Sequence, residues 1–575
     1  MKNPDVAARL NEIAALMEFD GEPFFKIKAY QRAARSVEDC ETPMRELLAA
    51  GTLGELPGVG KAIAQKIADI ERTGTCMYLD ELRAKFPPTI LELLGVSGIG
   101  AKTAVALYRE LAITGLADLK AAVEDGSIVR LRRLGPKSVE NLKAALGRPS
   151  PRTRRVRLGD AWPIAQSIVQ ALADSGRAES VMVAGSARRM EPTVGGLDIV
   201  CTSADPANAI AFFLQLPAAE RVTARGDTTA TIWAEPGIAV DLRVVPRECF
   251  GNLLQHFTGS KEHNIKLREF ALRQGKSVSE YGITDAKTGA VVRSSDEHGV
   301  YAALGLTYIP PELRTGLDEI ELARAHALPE LIALDDIRGD LHAHTTWSDG
   351  TRSIEEMARG AAALGREYLS ISDHSAGRAV ANGLSVQRLR EQVREIRAAS
   401  DRFGVRLLCS SEVDIRADGS LDFPDDVLAQ LDVVVASVHS AFKRTKEQQT
   451  QRLVRAIRNP FVNILGHPTG ALIEQRAGYE FESDVVFAAA ASSGTALEIN
   501  ASPARLDLSA PLARRAAEIG CMLSINTDAH SIGTLGDIFY GVGTARKAGL
   551  SKTAVLNSRP VEELLAFVQR KRHEP

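Results

Sequence analysis

The 575 residues contain no apolar run approaching the roughly 20 residues that a membrane-spanning helix needs. The opening stretch MKNPDVAARLNEIAALMEFD also lacks the charged, apolar and small-residue order of a secretory signal. Both absences lead us to expect a cytoplasmic protein with no membrane partner. Cysteine is sparse: Cys40, Cys76, Cys201, Cys249, Cys409 and Cys521 are scattered, with no CxxC pair. That spacing argues against disulfides, zinc ribbons and a thiol nucleophile, and leaves the cysteines as small apolar core residues. Net charge is small as well, at −3, which alone speaks against a polyanionic partner. Its distribution is uneven, however: residues 1–160 carry 25 Lys and Arg against 21 Asp and Glu, so the basic surface lies in the N-terminal region.

What is present suffices for several cores. Hydrophobic residues make up 45% and charged residues 25%, the balance of a globular chain. The length predicts roughly three to five domains. The segment RPSPRTRRVRLG (148–159) packs five arginines into proline-bearing sequence and reads as a linker, or simply as a solvated charge run.

A single pattern recurs within the N-terminal region. LPGVGKAIAQKI (56–67), LLGVSGIGAKTAVALY (93–108) and the degenerate LRRLGPKSVENLKAAL (131–146) each place glycine in a short turn before an amphipathic helix. Such turns allow close backbone approach, and the helix start directs free N–H groups and the positive dipole end outward. This suits a phosphate grip that ignores base sequence. Gly58, Gly60, Lys61, Gly98, Gly100 and Lys102 are the candidate DNA contacts, against the plainer alternative of ordinary helix caps. Lys66, on the helix after the first turn, is either a solvated charge or an amine placed near a sugar.

A mixed α/β region follows, from about residue 158 to 320. SVMVAGSARRM ends an apolar strand in Gly185 and Ser186, able to bring backbone and hydroxyl donors to a phosphate, with Arg188 and Arg189 behind them. GIAVDLRVVP is an apolar strand interrupted by Asp241 and Arg243 at i, i+2 spacing, which shows both to one face. An acid there calls for a metal or, more plainly, for Arg243 as an ion-pair partner. HFTGSKEHNIKLREFALRQG gives a Gly-Ser turn entering a basic helix, again a phosphate site.

On these motifs residues 1 to about 320 resemble a family X DNA polymerase. The resemblance implies that Gly185, Ser186 and Arg189 bind a triphosphate, with Phe257, Gly259 and Asn264 in a thumb-side nucleotide pocket. It also places Lys66 at the lyase amine of some members, and assigns two palm cations, Mg²⁺ or Mn²⁺, to three aspartates. Asp198 and Asp241 match the second and third, but Gly196 stands at the first. In the family that acid bridges both ions, holding them about 3.5–4 Å apart, so its loss predicts weak or absent synthesis. Met190 departs too, where the family usually has glycine, and two departures in one motif suggest drift.

The C-terminal 240 residues are patterned differently. Seven apolar strands each end in a possible ligand: RGDLHAH, YLSISDH, RLLCSSE, VVVASVH, VNILGHP, TALEIN and MLSINTDAH. Amphipathic stretches separate most of them, which predicts a parallel barrel with chemistry on its rim. Six of eleven histidines fall at these ends, with Asp349, Glu412 and Asp528 beside them. His plus carboxylate donors suit Zn²⁺, Mn²⁺ or Fe²⁺. This region resembles a PHP (polymerase and histidinol phosphatase) domain with all nine ligand positions filled. By that likeness one ion takes His342, His344, Glu412 and Asp528, and a second shares Glu412 with His439 and His467. A third takes Asp349, His374 and His530, with Mn²⁺ or Zn²⁺ as the expected metal. Glu412 and His342 are the residues expected to carry catalysis.

Together the two resemblances imply the bacterial PolX arrangement, a multidomain α+β and α/β chain. The expected divisions are helical 1–92 with the first hairpin, fingers 93–150, palm 158–255, thumb 256–325, and a distorted (β/α)7 PHP barrel over 335–575. The expected function is DNA repair by a 3′→5′ exonuclease in the barrel, joined to an impaired gap-filling core. The expected partners are gapped or nicked duplexes, DNA 3′ ends and dNTP, and the chain is expected to be a monomer. The alternatives are a fully active gap-filling polymerase using Mn²⁺, a scaffold that binds DNA ends, and a small-molecule phosphatase.

Overall fold

The computed structural model describes all residues except 2, 39, 41, 57, 97, 98, 100, 132–154, 401, 574 and 575. The chain separates into two compact units, Met1–Arg154 and Arg155–Pro575. Among the described residues no helix is long and apolar enough to cross a membrane.

The first unit is helical, with helices Asn3–Asp20, Phe24–Glu38, Met44–Ala50, Lys61–Thr73, Met77–Lys85, Ala101–Leu111 and Leu116–Glu124. Apolar residues three and four apart put one stripe of each helix into a shared core: Val6, Leu10, Ile13 and Met17 from the first, Ile63, Ile67 and Ile70 from the fourth. Gly74 closes the fourth helix in a left-handed conformation, φ +80. The turn before it is the first predicted hairpin: Gly58 sits at φ +81, and Gly60 is the N-cap of Lys61–Thr73.

In the second unit β1 (Val156–Arg157) pairs antiparallel with β3 (Thr193–Val194), and helix Leu158–Asp174 follows at once. The expected linker 148–159 is thus corrected at its end: ladder pairing of Val156 and Arg157 makes residues 155–159 part of the folded unit, while 148–154 lie outside the described residues. A five-stranded sheet of order β2-β4-β7-β6-β5 uses β2 (Ser180–Ala184), β4 (Leu197–Thr202), β5 (Arg221–Arg225), β6 (Thr229–Ala234) and β7 (Ile238–Val245). Only β4 and β7 run parallel. In β7 the period of two buries Ile238, Val240 and Leu242 and leaves Ala239, Asp241 and Arg243 half-buried. Helices Phe250–Thr258 and Lys261–Arg273 come next, the second capped by the Ser260 hydroxyl, which accepts from His263 N at 3.1 Å. A small antiparallel sheet of β8 (Lys276–Ser279), β9 (Gly282–Asp285) and β10 (Val291–Val292) packs behind them.

The rest is a seven-stranded parallel barrel in sequence order: β11 (Gly339–Ala343), β12 (Tyr368–Ile371), β13 (Arg406–Asp414), β14 (Val433–Ser437), β15 (Ile464–Leu465), β16 (Ala496–Asn500) and β17 (Leu523–Asn526). Six fall inside one of the seven predicted stretches, and β13 runs two residues past the end of RLLCSSE to Asp414. The strands are buried on both faces, as a parallel sheet wrapped in helices requires. Ser353 with Glu356, and Thr445 with Gln448, form capping boxes that start two of the wrapping helices. The sheet closes between its first and last strands mostly through side chains. Ala343 bridges Ala529, and Asn557 donates to Gly339 O at 2.8 Å and Ile525 O at 2.5 Å while accepting from Ile525 N at 3.0 Å.

The five-stranded sheet and the barrel share apolar contacts. Leu506 and Tyr540 of the barrel belong to the core beneath the sheet, and Trp162 lies 5.2 Å from Phe539 between ring centres. Gly159 lies so close to Pro503 that a Cβ would come within 2.3 Å of its ring.

Candidate metal centre and nucleotide pocket

Strand ends bring all nine predicted ligands to one rim. His342 and His344 stand two residues apart at the end of β11 and so share a face, Asp349 lies in the turn that follows, Glu412 lies two residues before the end of β13, and His374, His439, His467, Asp528 and His530 follow β12, β14, β15 and β17. Glu412 is fully buried at the centre. Its Oε1 lies 2.8 Å from His467 Nε2 and 3.2 Å from His439 Nε2. Its Oε2 lies 2.8 Å from His374 Nδ1, 3.5 Å from His342 Nε2 and 3.7 Å from His344 Nε2. Asp528 Oδ1 approaches His344 Nε2 at 3.1 Å, and Asp349 approaches His530 and His374 at 3.3 and 3.5 Å.

Three groups of donor atoms are close enough to hold an ion: His342, His344 and Asp528; His374, Glu412 and His439; and His344, Asp349, His374 and His530. They differ from the three expected sets: Glu412 is absent from the first, His374 stands in place of His467 in the second, and His344 joins the third. Their chemistry fits a metal. His342 Nε2, both ring nitrogens of His344, His374 Nδ1, His467 Nδ1 and Glu412 Oε2 are buried without an aligned hydrogen bond, and such atoms ordinarily find partners. Imidazole with carboxylate is the donor set of Zn²⁺, Mn²⁺ and Fe²⁺. Asp528 and His467 also hold left-handed backbone, φ +56 and +25, a strain that clusters at functional sites.

Protonation is divided unevenly across the rim. Burial pushes His344 down to about 3, aided by His374 and His530. Burial also opposes a charged His342, but Glu498, Asp528 and Glu412 outweigh it and hold the imidazole well above its ordinary range. Glu412 is likewise held well below the usual carboxylate range, burial being outweighed by His439, His374 and His342.

Several partners of these ligands escaped the sequence. Glu498 Oε1 takes His342 Nδ1 at 2.8 Å, and Asp414 Oδ1 takes His439 Nδ1 at 2.5 Å. Both fix ring orientation from behind the donor atoms. A signal existed for each: Glu498 lies in TALEIN, and Asp414 repeats Glu412 at i+2 on one strand face. Arg505 stands 3.4 Å from Asp528 Oδ2, and nothing in its local sequence marked it.

In the five-stranded sheet, Asp198 of β4 pairs in register with Asp241 of β7, so the two carboxylates stand side by side. Asp241 accepts from Thr231 Oγ1 at 2.5 Å. Among the described residues no ion pair joins it to Arg243, whose guanidinium instead lies 4.2 Å from the Phe257 ring centre. The plain-pair alternative for Asp241 is therefore corrected: the aromatic face of Phe257 takes the arginine. Gly185, at φ +64, lets the backbone pass Asp198; a Cβ would sit 2.1 Å from Asp198 Oδ2. Burial, then repulsion from Asp241, pushes Asp198 up to about 6. Gly196 differs, since it has no left-handed φ and a Cβ there would meet only Ala239 O at 3.5 Å.

A cavity of about 450 Å³ is lined by Gly185, Ser186, Arg189, Phe257, Gly259 and Asn264, all six predicted nucleotide residues, and by Asp198. Lys261 and Arg268 add positive charge that sequence reasoning had not singled out. Met190 adopts φ +56, a conformation that favours glycine, which gives a physical reason for the glycine usual in the resembling family.

In the helical unit Lys66 donates to Ala62 O at 3.3 Å and lies 5.3 Å from the Tyr78 ring centre. Gly58, Gly60 and Lys61 form one hairpin at a helix start. Gly98 and Gly100 lie outside the described residues, as do the side chain of Lys102 and the third hairpin.

A hairpin-bearing helical unit, a paired-aspartate sheet with a basic nucleotide-sized pocket, and a histidine-rimmed parallel barrel define the class: a polymerase-like core joined to a metal-dependent phosphoesterase. Residues 1–76 match the helix-hairpin-helix domain family and residues 90–148 the SAM-like helix-hairpin-helix tandem. Residues 253–315 match the DNA polymerase beta thumb, and 340–502 the PHP domain. The chain is 39% identical over 573 residues to the DNA polymerase/3′-5′ exonuclease PolX of Bacillus subtilis, covering 99% of this chain and 100% of that one. The barrel is also similar to a probable phosphatase of Thermoanaerobacter sp., 30% identical over 234 residues, covering 38% of this chain and 89% of that protein. A second probable phosphatase, of Caldanaerobacter subterraneus, is 28% identical over 245 residues, covering 40% and 91%. The chain belongs to the bacterial PolX family of family X DNA polymerases with a C-terminal PHP domain.

Proposed function

We propose that the barrel rim is the working 3′→5′ exonuclease and phosphoesterase of this chain, and that gap filling in the palm is impaired by Gly196. The observation that carries this is the asymmetry of the two sites. The rim gathers nine candidate ligand side chains, and five of them, His342, His344, His374, Glu412 and His467, hold buried donor atoms without a hydrogen-bond partner, whereas the palm presents only Asp198 and Asp241. Metal ions held there, Mn²⁺ or Zn²⁺, would supply a nucleophile and neutralise phosphate charge. Glu412, central to five histidines, is the acid suited to serve two ions, while Glu498 and Asp414 hold His342 and His439 in orientation.

In the palm, Gly185, Ser186 and Arg189 would hold a triphosphate and Phe257, Gly259 and Asn264 the nucleoside, around Mg²⁺ or Mn²⁺ on Asp198 and Asp241. Space at Gly196 supports the view that an acid is missing by substitution rather than excluded by the backbone. The hairpins, with Gly58, Gly60, Lys61, Gly98, Gly100 and Lys102, would grip the backbone of gapped or nicked duplex, and Lys66 would serve as the amine near a 5′-sugar. The protein would act as a cytoplasmic monomer, divided as 1–92, 93–150, 158–255, 256–325 and 335–575.

The test is primer extension and 3′→5′ degradation measured in parallel on a one-nucleotide-gapped duplex, with Mg²⁺ and Mn²⁺ compared. Degradation in Mn²⁺ with little extension in either ion is the expected result. Efficient extension without degradation would reverse the assignment.

A further inference from the structure

The nucleotide pocket does not end at the palm. Arg189, its basic wall, opens a run of three residues that reaches the barrel. Met190 is buried, with its side chain over Gly543, where an added Cβ would lie 2.4 Å from Met190 Cε. Glu191 then divides its carboxylate between two cations: Oε2 lies 2.8 Å from Lys547 Nζ, and Oε1 lies 3.7 Å from Arg189 Nε. Gly543 and Lys547 share helix Ile538–Lys547, whose Arg546 pairs with Glu312 at 2.7 Å. The side chains of Arg189 and Lys547 are only 16% and 14% exposed, so water screens these charges weakly. Arg189 Nη1 donates to Thr258 O, but its Nε is buried with no hydrogen-bond partner.

From this we infer that Lys547 of the barrel is a positioning residue for the palm's triphosphate pocket: by holding Glu191, it leaves Arg189 free for phosphate oxygens. The inference rests on the pocket being the triphosphate site proposed above. Glu191 and a triphosphate compete for one guanidinium. A carboxylate in close contact with an ammonium exerts less pull on a second cation. Without Lys547 the whole charge of Glu191 turns to Arg189, whose open Nε offers it a donor, and a triphosphate must displace it. Without the charge of Glu191, Arg189 is released. Glu262, Asp198 and Arg314 also act on Arg189, and they remain constant in both cases. By linkage, a triphosphate in the pocket strengthens the Glu191–Lys547 contact between palm and barrel.

Two substitutions on the two sides of one ion pair therefore move nucleotide affinity in opposite directions. Damage to packing would move it the same way from either side. The measurement is equilibrium dialysis of labelled dATP against the full chain with Mg²⁺ and no DNA, so that no extension occurs. Lys547→Met is expected to weaken binding by about threefold or more, and Glu191→Gln to tighten it by a similar factor, with both effects shrinking at high salt. The double variant should behave as Glu191→Gln alone, since the lysine then has no carboxylate to hold, and Lys547→Arg should bind as the unaltered chain does. Thermal unfolding of each variant checks that it is folded. Equal weakening by both single variants, or no change in either, would overturn the role of Lys547 while leaving the pocket assignment standing. If Arg189→Ala bound dATP as the unaltered chain does, the pocket assignment would fall, and this inference with it.

Discussion

Glu412 and Gly196 are the residues on which the two halves of the proposed function turn. Glu412 is buried and touches five histidines, so no neighbour can replace it. Glu412→Ala should lower Mn²⁺-dependent 3′→5′ degradation by about a hundredfold or more. Gel-shift affinity for gapped DNA should hardly change, and near-normal degradation would remove the rim from the reaction. At Gly196 the open space beside Ala239 O accepts an aspartate, so Gly196→Asp should raise Mg²⁺-dependent incorporation by about tenfold or more. If the unaltered chain extends primers equally fast, the missing acid is irrelevant. Asp198 gives a pH signature. Burial and then Asp241 raise it to about 6, above the roughly 3.9 of an unfolded aspartate. Between those values the folded chain binds the extra proton, so stability falls as pH rises through that window and stays low above it. In chelator, Asp198→Asn should therefore melt higher than the unaltered chain at pH 8, with the gap closing toward pH 4. A gap independent of pH would mean that the carboxylate is not the cause. At this scale the sequence was legible for which side chains meet on the rim, because histidines at strand ends of a parallel barrel converge. It was poorly legible for Glu498, Arg505 and Lys547, which act through contacts 156, 23 and 356 residues away.

Elements were legible where periodicity was strong. All seven barrel strands were marked by apolar runs ending in a possible ligand, and Asp241 with Arg243 by i, i+2 spacing on β7. What the pattern could not show was the pairing: that β4 runs parallel to β7 with Asp198 opposite Asp241, or that Arg243 turns to Phe257. Those follow from tertiary packing, as does the fate of residues 155–159, where a run of arginine and proline suggested a linker and Val156 pairs with Val194 instead. The seam of the barrel is equally invisible in sequence. Asn557 holds β11 to β17 through both ends of its amide. Asn557→Ala should speed amide hydrogen exchange at Ile525 selectively, leaving β13 and β14 protected. Uniform exchange across all strands would show that the amide does not secure the seam.

At the scale of the whole molecule, the helical unit and the larger unit differ in charge. The net positive stretch is the N-terminal one, and its first hairpin sets Gly60 and Lys61 at a helix start, where backbone N–H groups are free of the helix ladder. Affinity for gapped duplex should thus fall by about tenfold or more between 50 and 200 mM salt while varying little with base sequence. A flat salt response would mean that the grip is not electrostatic. The division of the chain into hairpins, sheet and barrel was legible because each has its own period. The join between sheet and barrel was not, since Met190 over Gly543 and Gly159 against Pro503 are matches of shape. The barrel's seam has a mechanical meaning as well. A closed hoop spreads strain over every joint, whereas a slit hoop concentrates it at the slit. Here the slit runs between the strand that carries His342 and His344 and the strand that leads to Asp528 and His530. The ring of candidate ligands is therefore completed across the joint, and its shape depends on the Ala343–Ala529 bridge and the clasp at Asn557 rather than on an unbroken ladder.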